Sequence, residues 1–79
     1  MPTILRILGY IFSFYSNENK EPPHVHVEKG GAEAKIWLEP EVKEEFFLGF
    51  NPREKREIKK IVEENAETFK KKWYDYFKE

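Results

Sequence analysis

Seventy-nine residues with 14 Lys+Arg against 15 Asp+Glu give a net charge of −1, without the basic excess that nonspecific phosphate-backbone binding requires. The absence of cysteine excludes a disulfide framework, a thiolate metal site and a cysteine nucleophile, and fits a cytoplasmic location. At 39% hydrophobic and 16% aromatic residues, the chain is expected to be a single domain, 1–79, with few, large core side chains.

Taken from the N-terminus, Thr3 to Leu8 and Ile11 to Ser16 are β-branched and aromatic runs, the composition of strands. They flank Gly9-Tyr10, which predicts a hairpin with its two-residue turn there. That turn sets Ile7 opposite Phe12 and Leu5 opposite Phe14, so one face is apolar: Leu5, Ile7, Phe12 and Phe14. The reverse face is mixed, with Ile4, Arg6, Ser13 and Tyr15. Residues 17–23 are polar and proline-rich and read as a loop.

A second hairpin follows, from His24 to Lys29 and from Ala32 to Leu38, around Gly30-Gly31. Glycine tolerates the positive φ angles of a primed turn. Closure by two residues pairs Val27 with Ala34 and Val25 with Ile36 on the inner face. The outer face then pairs Glu28 with Glu33, His26 with Lys35, and His24 with Trp37. A one-residue slip would exchange the faces, so the clean apolar sorting favours this register.

Glu39-Pro40 ends the run. Across Val42 to Phe50, the alternation of Val42, Glu44, Phe46 and Leu48 suits a fifth strand. Adjacent Glu44 and Glu45 suit a short helix or irregular connector equally well. A long helix over 52–77 closes the chain, with Asn51 as N-cap, Pro52 in the first turn and Glu54 completing a capping box. Ile58, Ile61, Val62, Asn65, Ala66, Phe69, Trp73, Tyr76 and Phe77 recur at three- and four-residue spacing as one stripe. Such a helix would be about 39 Å long, whereas six-residue strands reach about 20 Å. Its aromatic end (Trp73, Tyr74, Tyr76, Phe77) is therefore expected to overhang the sheet, folding back on the Val42 to Phe50 segment or meeting a second chain. The Lys70-Lys71-Lys72 run reads as the solvated side of this helix.

Pro22-Pro23-His24-Val25-His26-Val27 holds both histidines of the chain. Side chains alternate along a strand, so the two imidazoles share the outer face while the valines point inward. Three uses compete. As metal ligands, His24 and His26 fall short of the three or four protein ligands of a zinc site, and Lys35 opposite His26 puts a cation where a metal would sit. As an acid/base pair, with Lys35 or Arg6 holding a phosphate, they match metal-free RNA cleavage, in which a base takes the 2′-hydroxyl proton and an acid protonates the leaving oxygen. Glu28 and Glu33 on the same face would repel that backbone. As part of a docking surface, the histidines stand with Arg6, Tyr15, Lys35 and Trp37, and an outward Trp on a small sheet favours an interface. No Gly-rich phosphate loop and no glycine-framed serine elbow is present.

Several blocks occur here in a characteristic order: Met1-Pro2-Thr3-Ile4, Phe12-Ser13-Phe14-Tyr15-Ser16, Pro22-Pro23-His24-Val25-His26-Val27 and Ala34-Lys35-Ile36-Trp37-Leu38. Gly49-Phe50-Asn51-Pro52-Arg53-Glu54 and the terminal Trp73, Tyr76 and Phe77 complete the set. Together they resemble the small prokaryotic family catalogued as domain of unknown function 4160, across essentially the whole chain. The resemblance implies a component of a type II toxin–antitoxin-like pair, with a small partner protein encoded nearby. It leaves RNA open as a second class of partner and assigns no catalytic residue.

The expectation is an α+β fold: a four- or five-stranded antiparallel sheet of two hairpins over 3–48, with one long C-terminal helix on its apolar face. The leading function is protein interaction, through the outer face or, as a homodimer, through the aromatic helix end. A metal-independent ribonuclease or RNA-binding protein using His24 and His26 is the alternative. No cofactor is expected, and no apolar run reaches the length of roughly 18 residues that a membrane span needs.

Overall fold

The computed structural model describes residues 3–14 and 20–77. Five strands come first: β1 (Thr3–Ile7), β2 (Tyr10–Ser13), β3 (His24–Lys29), β4 (Ala32–Trp37) and β5 (Lys43–Leu48). Two helices follow, α1 (Pro52–Glu64) and α2 (Ala66–Phe77). All strand pairs are antiparallel, in the order β1-β2-β3-β4-β5. The fold is α+β, as the strand-first pattern implies.

The second hairpin has the predicted register at every position, from His24 opposite Trp37 to Glu28 opposite Glu33. Its turn places only Gly30 at positive φ, 60°, the pattern of a II′ rather than a I′ connection. Segment 43–48 resolves to a strand paired with β4, so the connector alternative for that stretch is set aside. A register shift between Lys35 and Ile36 leaves Glu45 as an extra residue on β5. That bulge changes which residues alternate together, and Phe47, opposite Ala34, is the one that packs on the core.

The first hairpin turns earlier than predicted. Leu8 (φ 54°) and Gly9 (φ 85°) form the turn, and Tyr10 lies in β2 opposite Ile7. Leu5 therefore faces Phe12 and not Phe14. The displacement is two residues, so parity is kept: Leu5 and Phe12 stay on the inner face, where Tyr10 joins them.

The C-terminal stripe is divided into two helices, correcting the single helix over 52–77. Asn65 interrupts it at φ −112°, ψ 12°. Its side-chain Nδ2 donates to the Ile61 carbonyl (2.8 Å), and its backbone N–H is shared between the Ile61 and Val62 carbonyls (3.0 and 3.2 Å). Asparagine competes for backbone groups in this way, which is why it suits helix ends better than interiors. Each half is then about 20 Å long, matched to the strands, and the expected overhang disappears. The aromatic end is covered in part by the chain itself, while Tyr74 (51%) and Tyr76 (47%) stay exposed. Trp73 packs on Phe14 (5.3 Å between ring centroids) and on His24 (4.9 Å).

The core lies between the inner sheet face and the helices: Tyr10, Phe12, Val25, Val27, Ala34, Ile36 and Leu38 below, Ile58, Ile61, Val62 and Phe69 above. Each Val, Leu, Ile or Phe among them contributes about 1.5–3 kcal/mol on burial. The start of α1 is anchored by the predicted capping box, in which the Asn51 side chain accepts from the Glu54 N–H (2.8 Å) and the Glu54 carboxylate from the Asn51 N–H (3.0 Å). One turn on, the buried Tyr10 hydroxyl donates to the Glu57 carboxylate. Burial, reinforced by this carboxylate, pushes the Tyr10 phenol up to about 12.

Candidate functional site

β3 and β4 deliver their odd and even residues to opposite faces, so the His24–Trp37 and His26–Lys35 pairs stand side by side on the face turned from the core. The predicted neighbours Lys35 and Trp37 make direct contact: the Lys35 ammonium sits 4.5 Å over the indole ring. It is also 3.0 Å from the Glu21 carboxylate. The Trp37 indole N–H donates to the Glu45 carboxylate at 2.7 Å, a bond that the β5 bulge makes geometrically available. Lys35 and Trp37 are both half-buried.

His24 occupies the predicted face but is 0% exposed. Three rings surround it, with centroids at 5.2 Å (Trp37), 4.9 Å (Trp73) and 5.1 Å (His26). Its Nδ1 lies 2.9 Å from the Pro22 carbonyl. A carbonyl only accepts, so this contact puts the proton on Nδ1. The stiff Pro22-Pro23 lead-in fixes that carbonyl and delivers the chain straight into β3, where the Leu38 N–H donates to the Pro23 carbonyl (2.9 Å). His26, one pair along and opposite Ser13 on its other side, is half-buried.

The structure therefore unites His24, His26, Lys35 and Trp37. Arg6 is exposed but lies apart. It aligns with Ile11, Glu28 and Glu33, three strands and two outward-facing pairs from Trp37, roughly 20 Å away by strand geometry. Tyr15, the sixth residue expected on this face, is outside the described residues. Among the described residues no three His, Cys, Asp or Glu side chains are grouped as metal ligands would be. Of the aromatic helix end, Trp73 is buried and Phe77 half-buried, while Tyr74 (51%) and Tyr76 (47%) remain exposed.

Sequence reasoning missed three contributors. Glu21 caps Lys35 from the loop, Glu45 orients the indole, and Trp73 closes over His24 from α2. The bulge that presents Glu45 had one trace in the sequence, the break in β5 alternation at Glu44-Glu45. The Trp73 contact had none, because it joins elements from opposite ends of the chain. Sequence reasoning also missed a groove of about 480 Å³ between Trp37 and the turn leading into β5, with Pro22 and Pro40 among its walls. The Glu39–Pro40 peptide there is cis.

No helix among the described residues is long and apolar enough to cross a membrane. No curated protein and no solved structure matches the chain. The family described as Domain of unknown function (DUF4160) matches residues 9–74. That span takes in β2 to β5, both His-bearing positions and nearly all of the helical stripe, and the chain belongs to this family.

Proposed function

We propose that the chain is a small protein-interaction module, one component of a type II toxin–antitoxin-like pair, and that it docks through the sheet face around Trp37. The observation that carries this reading is the half-exposed Trp37 at the side of an open groove. A large aromatic held in place by a hydrogen bond loses little entropy on binding, and such residues dominate interface energetics.

The burial of His24 favours binding over RNA cleavage, since a general acid or base must reach the proton it transfers. Lys35, the cation nearest the histidines, is already engaged by Glu21. Glu28 and Glu33 add negative charge to the same face, which disfavours RNA relative to a protein. The partner in this reading is the small protein encoded nearby. A homodimer through Tyr74 and Tyr76 is the second arrangement, supported by their exposure.

The test is co-purification with the neighbouring gene product, followed by titration of wild type and Trp37→Ala. The expected loss is about 2 kcal/mol, roughly thirtyfold in Kd, the size of a hot-spot truncation. An unchanged affinity removes this face from consideration. RNA cleavage by the purified chain with a bell-shaped pH profile, abolished in His24→Ala and in His26→Ala, would replace the module with the nuclease.

A further inference from the structure

We propose that the groove beside Trp37 takes a cationic side chain, a lysine or arginine within a basic segment of the partner protein. This rests on the interaction-module reading and names the chemistry of its ligand. The walls are apolar, formed by Pro22, Pro40 and the indole of Trp37. The rim is not: Glu39, Glu41, Glu44 and Glu45 line it against a single cation, Lys43.

The four carboxylates divide by what they already do. Glu39 accepts from the Tyr74 hydroxyl (2.8 Å) and Glu45 from the Trp37 indole N–H (2.7 Å), so these two hold the walls in place. Glu41 and Glu44 are exposed and make no hydrogen bond or ion pair among the described residues. A neutral or anionic ligand seated here would strip water from both without compensation. A cation offsets that cost with charge-assisted hydrogen bonds, and its flat or methylene portion packs on proline and indole.

The molecule already contains one instance of this chemistry. Lys35 places its ammonium 4.5 Å over the Trp37 ring and 3.0 Å from Glu21. The indole therefore sits in a field that accepts a cation between ring and carboxylate. The groove repeats the combination with the carboxylates still available.

The experiment titrates the chain 1–79 at low ionic strength with two probes, an end-capped tetra-arginine and an end-capped tetra-glutamate. Binding is read by calorimetry and by the indole N–H resonance of Trp37. Tetra-arginine is expected to saturate, to shift the Trp37 resonance selectively and to weaken with added salt. Tetra-glutamate is expected to give no signal. The double substitution Glu41→Gln/Glu44→Gln is expected to weaken tetra-arginine roughly tenfold, whereas Glu63→Gln/Glu64→Gln on exposed α1 leaves it unchanged. Absence of tetra-arginine binding, equal loss in both double variants, or equal binding of tetra-glutamate overturns the proposal.

The natural partner separates the two readings. If it binds the Glu41→Gln/Glu44→Gln variant as tightly as wild type, the groove proposal fails and the module stands. If tetra-arginine binds as described but the neighbouring gene product does not, the groove chemistry holds and the module reading fails.

Discussion

Replacing His24 by alanine tests whether this residue is part of the fold or an open functional group. The imidazole is 0% exposed, with three rings at centroid distances of 4.9 to 5.2 Å and a hydrogen bond of 2.9 Å to the Pro22 carbonyl. Aromatic pairs contribute about 0.5–1.5 kcal/mol each beyond area burial, and a buried hydrogen bond about 1 kcal/mol. Truncation also leaves a ring-sized cavity between Trp37 and Trp73, and aromatic-to-alanine changes in cores cost about 3–5 kcal/mol. Histidine is smaller and more polar than Phe or Trp, so the expected destabilisation is about 3 kcal/mol. In a domain of this size that lowers Tm by roughly 12–24 °C. His26→Ala, which removes a half-buried ring, is expected to cost about 1 kcal/mol. The assay is thermal unfolding followed by far-UV circular dichroism, with chemical denaturation to obtain free energies. A His24→Ala protein melting within about 3 °C of wild type would refute the packing role.

Three other outcomes follow from the fold. The Tyr10 phenol is pushed up to about 12 by burial and Glu57, so the native state retains its proton where the unfolded chain, near 10, gives it up. Its stabilisation is therefore complete below pH 10 and is lost on rising towards pH 12. Urea unfolding across that window should show Tyr10→Phe losing on the order of 1–2 kcal/mol less than wild type, and parallel pH dependences would contradict this. Gly49→Ala puts a Cβ at φ 87°, 3.1 Å from the Ala32 Cβ and 3.2 Å from its Cα. A loss of about 2 kcal/mol is expected in denaturant titration, and a neutral result would show that β4 and the 49–50 link adjust freely. Leu8 sits at φ 54° with 62% of its surface exposed, so Leu8→Asn is expected to raise stability by about 1 kcal/mol. A fall in Tm after that change would mean that the leucine side chain stabilises the fold by more than its backbone strain costs.

How much of this was legible in the sequence varies by element, for physical reasons. The β3–β4 register was readable because Gly30-Gly31 fixes the turn and the apolar alternation admits one parity. The first hairpin was misplaced because its turn uses leucine at positive φ, which local propensity disfavours. The inner placement of Leu5 and Phe12 survived because a two-residue displacement keeps parity. The irregularity between Thr3 and Leu5, however, lets Ile4, expected on the reverse face, pack on the core, and Ile7, expected inside, is 38% exposed. The division of the helix was visible only as an asparagine inside an apolar stripe, and periodicity alone does not register a residue that bonds its own backbone. For the site, the pairing of His26 with Lys35 and of His24 with Trp37 followed from strand geometry. The burial of His24 did not, since it depends on where α2 lands. Arg6 shares the face with Trp37 but stands three strands away, because sharing a face says nothing about how many strands lie between.

The contact of Trp37 and Trp73 with the same imidazole ties the docking face to the last helix of the chain. Trp73 in turn meets Phe77 at 4.4 Å and Phe14 at 5.3 Å, so the final turns of α2 are held mainly by this aromatic chain. Terminal helical turns normally open first in native-state hydrogen exchange. A ligand that immobilises Trp37 removes one of the ways in which the stack can loosen, and protection of the backbone amides from Lys70 to Phe77 should rise with occupancy. Exchange rates there that ignore a saturating ligand would show that the stack transmits nothing. Slowed exchange would make the C-terminal helix a reporter of events at the docking face, which it meets through Trp73 and Tyr74.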